Sequence, residues 1–340
     1  MNGMKKDREK TEIDQIRDSA GSINLNTPDD ESEISEMFSV NDRFLVIKGE
    51  GVYEIKLADQ IDPERQNIST PNTIQKIIPF GTNYPWVGRI LLTAHRLFKT
   101  DFLKDHINCD EMMVRTINIV KDISALYDLI NKYNEEQKSK IEGHDLRIKK
   151  DRTFILPTIS NIEVRCNEYL QKYDHSLGEL FTIVKAFYPE VNKGRWDSLI
   201  KKIDNEPKDI DNFLDFLIGA LPLLHMMRNA RNCVEHPKAN QRLVVSDFSI
   251  DTNNNLLPPM MKIIHPETTI ENVPVSNFFN DNFLNLIEAI ELILVFLCAR
   301  NMKDVSGPVK IILLPEDVQK SRNVRYGYGV NIGGQDVPMS

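Results

Sequence analysis

The sequence predicts a mainly α protein with small β-hairpin accessories. Three observations carry that expectation. From Trp86 to Met302 apolar residues recur mostly at helical spacing. Two stretches, within 43–57 and 243–264, change to runs rich in β-branched residues around glycine or asparagine turns. No segment repeats at a fixed interval, which argues against a solenoid.

Residues 1–36 are charged, rich in Ser and Asn and without periodic apolar positions, and read as a disordered acidic tail. Region 37–85 reads as a β-hairpin and linker. Arg43–Lys48 and Val52–Leu57 flank the turn Gly49–Glu50–Gly51, and a proline-bearing connection without helical period follows. The helical domain, 86–305, opens after Pro85 with a helix from Trp86 to Leu103, followed by a longer one from Glu111 to Tyr133. Ser160–Asn161–Ile162–Glu163 has capping-box spacing and opens a third helix. Ser176–Leu177–Gly178–Glu179 repeats that spacing and predicts the start of a fourth, stopped by Pro189. Helices are also expected at 195–203, 209–220 and 222–236, the last closed by Pro237. A β-hairpin insert at 243–264 precedes the long helix Asn277–Met302. A C-terminal strand (Lys310–Leu314) and a Gly/Tyr tail fill 306–340.

Composition narrows the function. With 41% hydrophobic and 27% charged residues the chain has the make-up of a globular protein. The longest apolar run, Leu284 to Ala299, is interrupted by Glu288 and Glu291, so no membrane association is expected, and the polar start shows no signal peptide. The four cysteines are far apart and form no CxxC pair, which fits a reducing, cytoplasmic setting. Of the net charge of −8, the first 36 residues supply −5 (ten acidic, five basic groups) and the rest only −3. A broad basic footprint is therefore absent while a local basic site stays open. No GxxxxGK[ST], GxGxxG-to-helix, HExxH or GxSxG pattern occurs, and the seven histidines are scattered. Neither a cofactor nor a metal is expected.

One stretch concentrates chemistry: His225 to Pro237. On a helical wheel with His225 at zero, Asn229 falls near about 40°, Asn232 about −20° and His236 about 20°. Leu223, Met227, Ala230 and Val234 gather on the opposite side. Asparagine is a poor choice inside helices because its side chain competes for backbone hydrogen bonds. Two of them, bracketed by histidines, point to a binding or catalytic stripe. Surface helices do carry polar faces without function, and a histidine at a helix end often only meets the last carbonyls.

Arg231–Asn232–Cys233–Val234–Glu235–His236 resembles the R-x(4–6)-H signature of the HEPN superfamily, in which a polar residue, often Asn, follows the arginine. Arg89 and His95 share the spacing, but Ile90 follows that arginine and its helix reads as buried. The resemblance covers the pattern of 86–303. It implies a HEPN-like helical bundle, to which both hairpins are accessory, and a metal-independent endoribonuclease acting from a dimeric Arg/His cleft. RNA supplies its own nucleophile, the 2′-OH, so cleavage needs a base, an acid and a cation for the charge developing on phosphorus. The resemblance assigns Arg231, His236 and Asn232 as catalytic. His236, at the negative end of the helix dipole, suits the acid toward the leaving 5′-oxygen. Arg228, Asn229 and His225 are second-tier candidates. Arg231 lies about 140° from His236 on the ideal wheel and Arg228 about 80°, so an unwound last turn or a switch to Arg228 is required. The implied partners are RNA, a second copy of the chain, and an antitoxin or other defence-system protein, in keeping with a toxin or anti-phage effector. The alternative is a catalytically inactive HEPN-like module that binds RNA or nucleotide or serves as a scaffold.

Overall fold

The structure, a computed structural model, describes residues 10–19, 25, 27, 29–143, 151–192, 195–206, 212–304 and 307–339. It divides into two units, Met1–Gly88 and Arg89–Ser340. The mainly α, HEPN-like bundle expectation is corrected here: the protein is mixed, 49% helical and 20% strand, with four separate small sheets among the described residues. The unexpected strands come from Glu36–Val40, Thr73–Ile78, Ile270–Pro274, Tyr326–Ile332 and Gln335–Pro338. Each is short, and its β state depends on a partner edge that its own pattern does not announce.

The first unit runs α1 (Glu12–Ser19), β1 (Glu36–Val40), β2 (Arg43–Ile47), β3 (Val52–Lys56), α2 (Ala58–Ile61), β4 (Thr73–Ile78) and α3 (Pro85–Val87). The expected hairpin is β2–β3, paired Ile47 with Val52, and it forms the centre of an antiparallel sheet ordered β1-β2-β3-β4. β4 lies inside the stretch read from sequence as a linker. Val46, Tyr53 and Ile55 pack with Leu25, Phe44 and Ile74. Gly81 lies so close to the β2–β3 turn that a Cβ there would stand 1.9 Å from the Lys48 carbonyl oxygen.

Part of the segment read as a disordered tail is structured. Thr11 and Asp14 bond reciprocally at the start of α1, in the manner of a capping box. The Arg17 guanidinium then bonds Asp59 and Asp62. Further on, Asp30 is buried and accepts from Ser32 and the Tyr53 hydroxyl. Asp14 and Asp18, two of the acidic groups that suggest disorder, both bond the Arg65 guanidinium.

The helix expected at 86–103 is divided into α3, a π turn (Gly88–Leu92) and α4 (Thr93–Leu97). Then follow α5 (Cys109–Glu142), capped by the Asn108 side chain, α6 (Ile162–Phe187), α7 (Trp196–Asp204) and α8 (Phe213–Glu235). Two expected helix boundaries do not exist. Ser176 and Gly178 lie inside α6, and the Ser176 hydroxyl turns back onto the Lys172 carbonyl while Leu177 and Leu180 are buried. Burial of that face overrides the capping signal. The expected cap at Ser160 also goes unused: Asn161 precedes α6 in a left-handed conformation with no side-chain cap bond. Pro222 is likewise internal to α8. The carbonyl it leaves without a helical donor belongs to Ile218, an exposed position that water reaches. The start of the expected 209–220 helix lies outside the described residues.

After α8 come β5 (Arg242–Ser246), β6 (Ser249–Ile250), β7 (Leu256–Leu257), β8 (Met260–Ile264) and β9 (Ile270–Pro274). The expected insert is β5–β8, with β9 added to β8 as a third strand and β6–β7 as a separate small ribbon. The long helix α9 (Val275–Arg300) packs against α5, α6 and α8. It is long and apolar enough to cross a bilayer, with a mean hydropathy of 1.9 over its best window, yet 67% of that window is buried within the protein. Glu291 in its middle is fully buried and ion-paired to Arg89 and Arg325. It is a core helix.

β10 (Val309–Leu313), α10 (Glu316–Arg322), β11 (Tyr326–Ile332) and β12 (Gln335–Pro338) close the chain. The Gly/Tyr tail is thus the central strand of an antiparallel sheet ordered β10-β11-β12. Its Tyr328 is buried, with the hydroxyl donating to the Leu97 carbonyl at 2.7 Å. Gly329 sits where a Cβ would meet Ile312 at 2.4 Å, so the glycines there serve close packing.

Candidate functional site

All the predicted site residues lie on α8 or at its end, and α8 packs against α6, α7, β5 and β8. Leu224, Met227, Ala230 and Cys233 form its buried face, and the Cys233 thiol donates to the Ile264 carbonyl. That arrangement follows from the helical spacing of the apolar residues.

The predicted polar stripe is not uniformly exposed. Asn229 is 2% exposed, and its amide donates to the Thr268 hydroxyl at 2.9 Å. The His225 ring bonds the Asp197 carboxylate of α7 at 3.0 Å. Two of the three second-tier candidates, His225 and Asn229, therefore tie α8 to α7 and to the β8–β9 connection. Toward its C-terminal end Arg228 and Glu235 stay exposed, as does His236 just beyond it.

At that end the Arg231 guanidinium is held between carboxylates, 2.6 Å from Glu235 and 3.4 Å from Asp174 of α6. Its remaining terminal nitrogen donates to the Asn232 side-chain oxygen at 3.3 Å. Burial pushes the Asp174 carboxyl above the usual carboxylate range, and the field of Arg231 opposes that push. α8 stops at Glu235, and His236 leaves the helical conformation (φ −132, ψ 59) while its N–H still donates to the Asn232 carbonyl at 2.9 Å. The Gln241 side chain caps the end by donating to the carbonyls of Asn232 and His236. That leaves the His236 ring exposed, without a hydrogen bond or ion pair among the described residues. Arg228, one turn earlier, is also exposed and without an ion pair among them.

The structure thus joins Arg231 and Asn232 directly and sets His236 at the same helix end. Arg228 stands beside them, and His225 and Asn229 are committed elsewhere. The alternative pair is half-buried and engaged elsewhere: Arg89 bonds Glu288 and Glu291, and burial lowers His95 to about 4. A cleft of about 570 Å³ beside β10, lined in part by Phe296, Met302 and Leu313, contains none of the predicted residues. Among the described residues no group of three or more His, Cys, Asp and Glu side chains is placed to hold a metal ion.

Asp174, Asp197, Thr268 and Gln241 escape the sequence reading. The signal for Asp174 is a charged residue following the core position Tyr173 in a helix whose buried side faces α8. A carboxylate there requires a cation from the neighbouring helix.

Compared with protein-family models, with curated proteins and with solved structures, the chain matches none.

Proposed function

We propose that this chain is a metal-independent endoribonuclease of the HEPN type, working in the cytoplasm as a homodimer joined through α8. The observation that supports it is the exposed His236 ring, unpartnered among the described residues, at the end of a helix whose preceding turn carries the Arg231–Asn232 contact. In this reading the 2′-OH of RNA gives its proton to the motif histidine of the second protomer as its oxygen bonds the adjacent phosphorus and the bond from phosphorus to the 5′-oxygen breaks. Arg228 and Arg231 face the phosphate oxygens as the charge develops. His236 delivers a proton to the departing 5′-oxygen, and Asn232 holds Arg231. The open charge of Arg228 makes it the first cation of the pair, since Arg231 is already balanced by Asp174 and Glu235. Two protomers double the set. The biological setting proposed is a toxin or anti-phage effector, with an antitoxin or other defence-system partner protein covering the surface.

Purified protein incubated with RNA in EDTA tests this. Cleavage is expected, and it is expected to disappear in His236→Ala without a change in thermal stability. Equal cleavage by both proteins would overturn the assignment.

A second reading draws on the same Arg231 geometry. A guanidinium held by two carboxylates suits a module that binds RNA or nucleotide, or acts as a scaffold, without cutting. It is distinguished by RNA retardation in a native gel with no product formed.

A further inference from the structure

The last carbonyls of a helix have no donors within it and must find them elsewhere. At the end of α8 the Asn232 carbonyl takes the His236 N–H at 2.9 Å, and Pro237 bars His236 from helical conformation. One side chain then serves both sides of that break. The Gln241 amide nitrogen donates to the Asn232 carbonyl at 3.0 Å and to the His236 carbonyl at 2.9 Å. A primary amide has two N–H donors, one for each oxygen. Turned the other way, its own oxygen would face two acceptors, so the amide has a single orientation there.

Gln241 is itself held from behind. Its backbone pairs with Lys238 in both directions, at 2.6 and 3.1 Å, which closes the turn after Pro237. The next residue, Arg242, opens β5 in register with Ile264 of β8. The amide is thus presented by a sheet and reaches back to both halves of the motif. Asn232, whose carbonyl it holds, accepts from Arg231 through its side-chain oxygen at 3.3 Å. His236 offers an exposed ring that no hydrogen bond or ion pair fixes among the described residues. The direction of that ring is therefore set by the backbone it leaves from, and Gln241 holds that backbone.

We propose that Gln241 is a positioning residue of the ribonuclease reaction assigned above, keeping the His236 ring in register with the Arg231–Asn232 pair through the two carbonyls. This rests on that reading. Gln241 acts through the backbone of His236 and takes no part in the bond changes. To protonate the leaving 5′-oxygen, the ring must come within about 2.6–3.2 Å of it. A displacement of about 1 Å costs on the order of 10²-fold in rate. A side chain that only ended the helix would leave the rate of the folded protein untouched.

The test compares parent, Gln241→Ala, Gln241→Glu, Gln241→Arg and His236→Ala on RNA in EDTA, well below the melting midpoint of each. Alanine removes both donors, and an ionised glutamate keeps the shape but only accepts. Both variants should lose about 10–10²-fold in kcat with KM little changed. Arginine returns donors to the helix-end carbonyls and should recover most of the kcat. In proton NMR spectra the His236 ring signals, identified by their absence in His236→Ala, should move in the alanine and glutamate variants and return toward the parent in Gln241→Arg. If Gln241→Ala and Gln241→Glu cut at the parental kcat while His236→Ala is dead, the positioning role falls and the nuclease reading stands. A loss of kcat with the His236 signals unmoved overturns it equally. If the parent shows no cleavage that depends on His236, both fall. Should either the alanine or the glutamate variant fail to fold, the other decides.

Discussion

Glu291 lies in the middle of α9 with no exposed surface, between guanidiniums that arrive from opposite ends of the second unit. Arg89 Nε donates to it at 2.6 Å and Arg325 Nε at 2.9 Å, and an Arg325 Nη joins them. Replacing Glu291 by Gln keeps the shape and removes the charge, leaving both arginines beside Glu288 alone. Taking one partner from a buried ion pair costs about 3–5 kcal/mol. Glu288 still bonds both guanidiniums, one of them at 3.0 Å, which places the expected loss near the lower figure, about 3 kcal/mol. For a unit of this size each kcal/mol moves the melting temperature by about 2–4 °C, so a fall of about 6–12 °C is expected in a circular dichroism melt. Glu288→Gln is the control. Its side chain is 46% exposed, and the change should stay within about 1 kcal/mol. A Glu291→Gln melt within about 2 °C of the parent would refute the argument, as would equal losses in the two variants.

Other consequences follow from single residues. Asn229→Ala deletes the donor to Thr268 at a buried position and should cost about 1–3 kcal/mol in denaturant unfolding; a neutral result would return Asn229 to the candidate binding surface. Burial lowers His95 from 6.5 to about 4, so protonation favours the unfolded chain. Stability should therefore decline as pH falls from about 6.5 to about 4 and level off below that. A His95→Gln variant should lack that part of the decline, on the order of 3 kcal/mol at most. Sedimentation at micromolar concentration should show a species of twice the chain mass, and only the single-chain species would count against pairing through α8. His236→Ala should leave unfolding unchanged to within about 1–2 kcal/mol, since a histidine at a helix end contributes no more than that.

Much of the local structure was legible in the sequence. The periodicity of 111–133 and 277–302 places α5 and α9, and glycine or asparagine turns between β-branched runs place β2–β3 and β5–β8. These signals act over a few residues, and so they survive folding. The same reading finds the end of α8, because Pro237 bars His236 from helical conformation whatever packs nearby.

What stayed hidden depends on partners distant in the chain. Tyr326–Ile332 looks like a loose tail until β10 and β12 offer edges and Leu97 an acceptor. The helix starts expected at Ser176 and Pro222 are real local preferences, overruled because Leu177 and Leu180 are buried beside the first and water reaches the carbonyl freed by the second. At the site, helical spacing places Arg231, Asn232 and His236 near one helix end. Only the packing of α5, α6, α8 and the β8–β9 connection sets Asp174 on Arg231, Thr268 on Asn229 and Asp122 on His175. A helical wheel reports which residues share a face. Whether that face meets solvent, a carboxylate or another helix is decided by tertiary contacts, whose energies no local pattern contains.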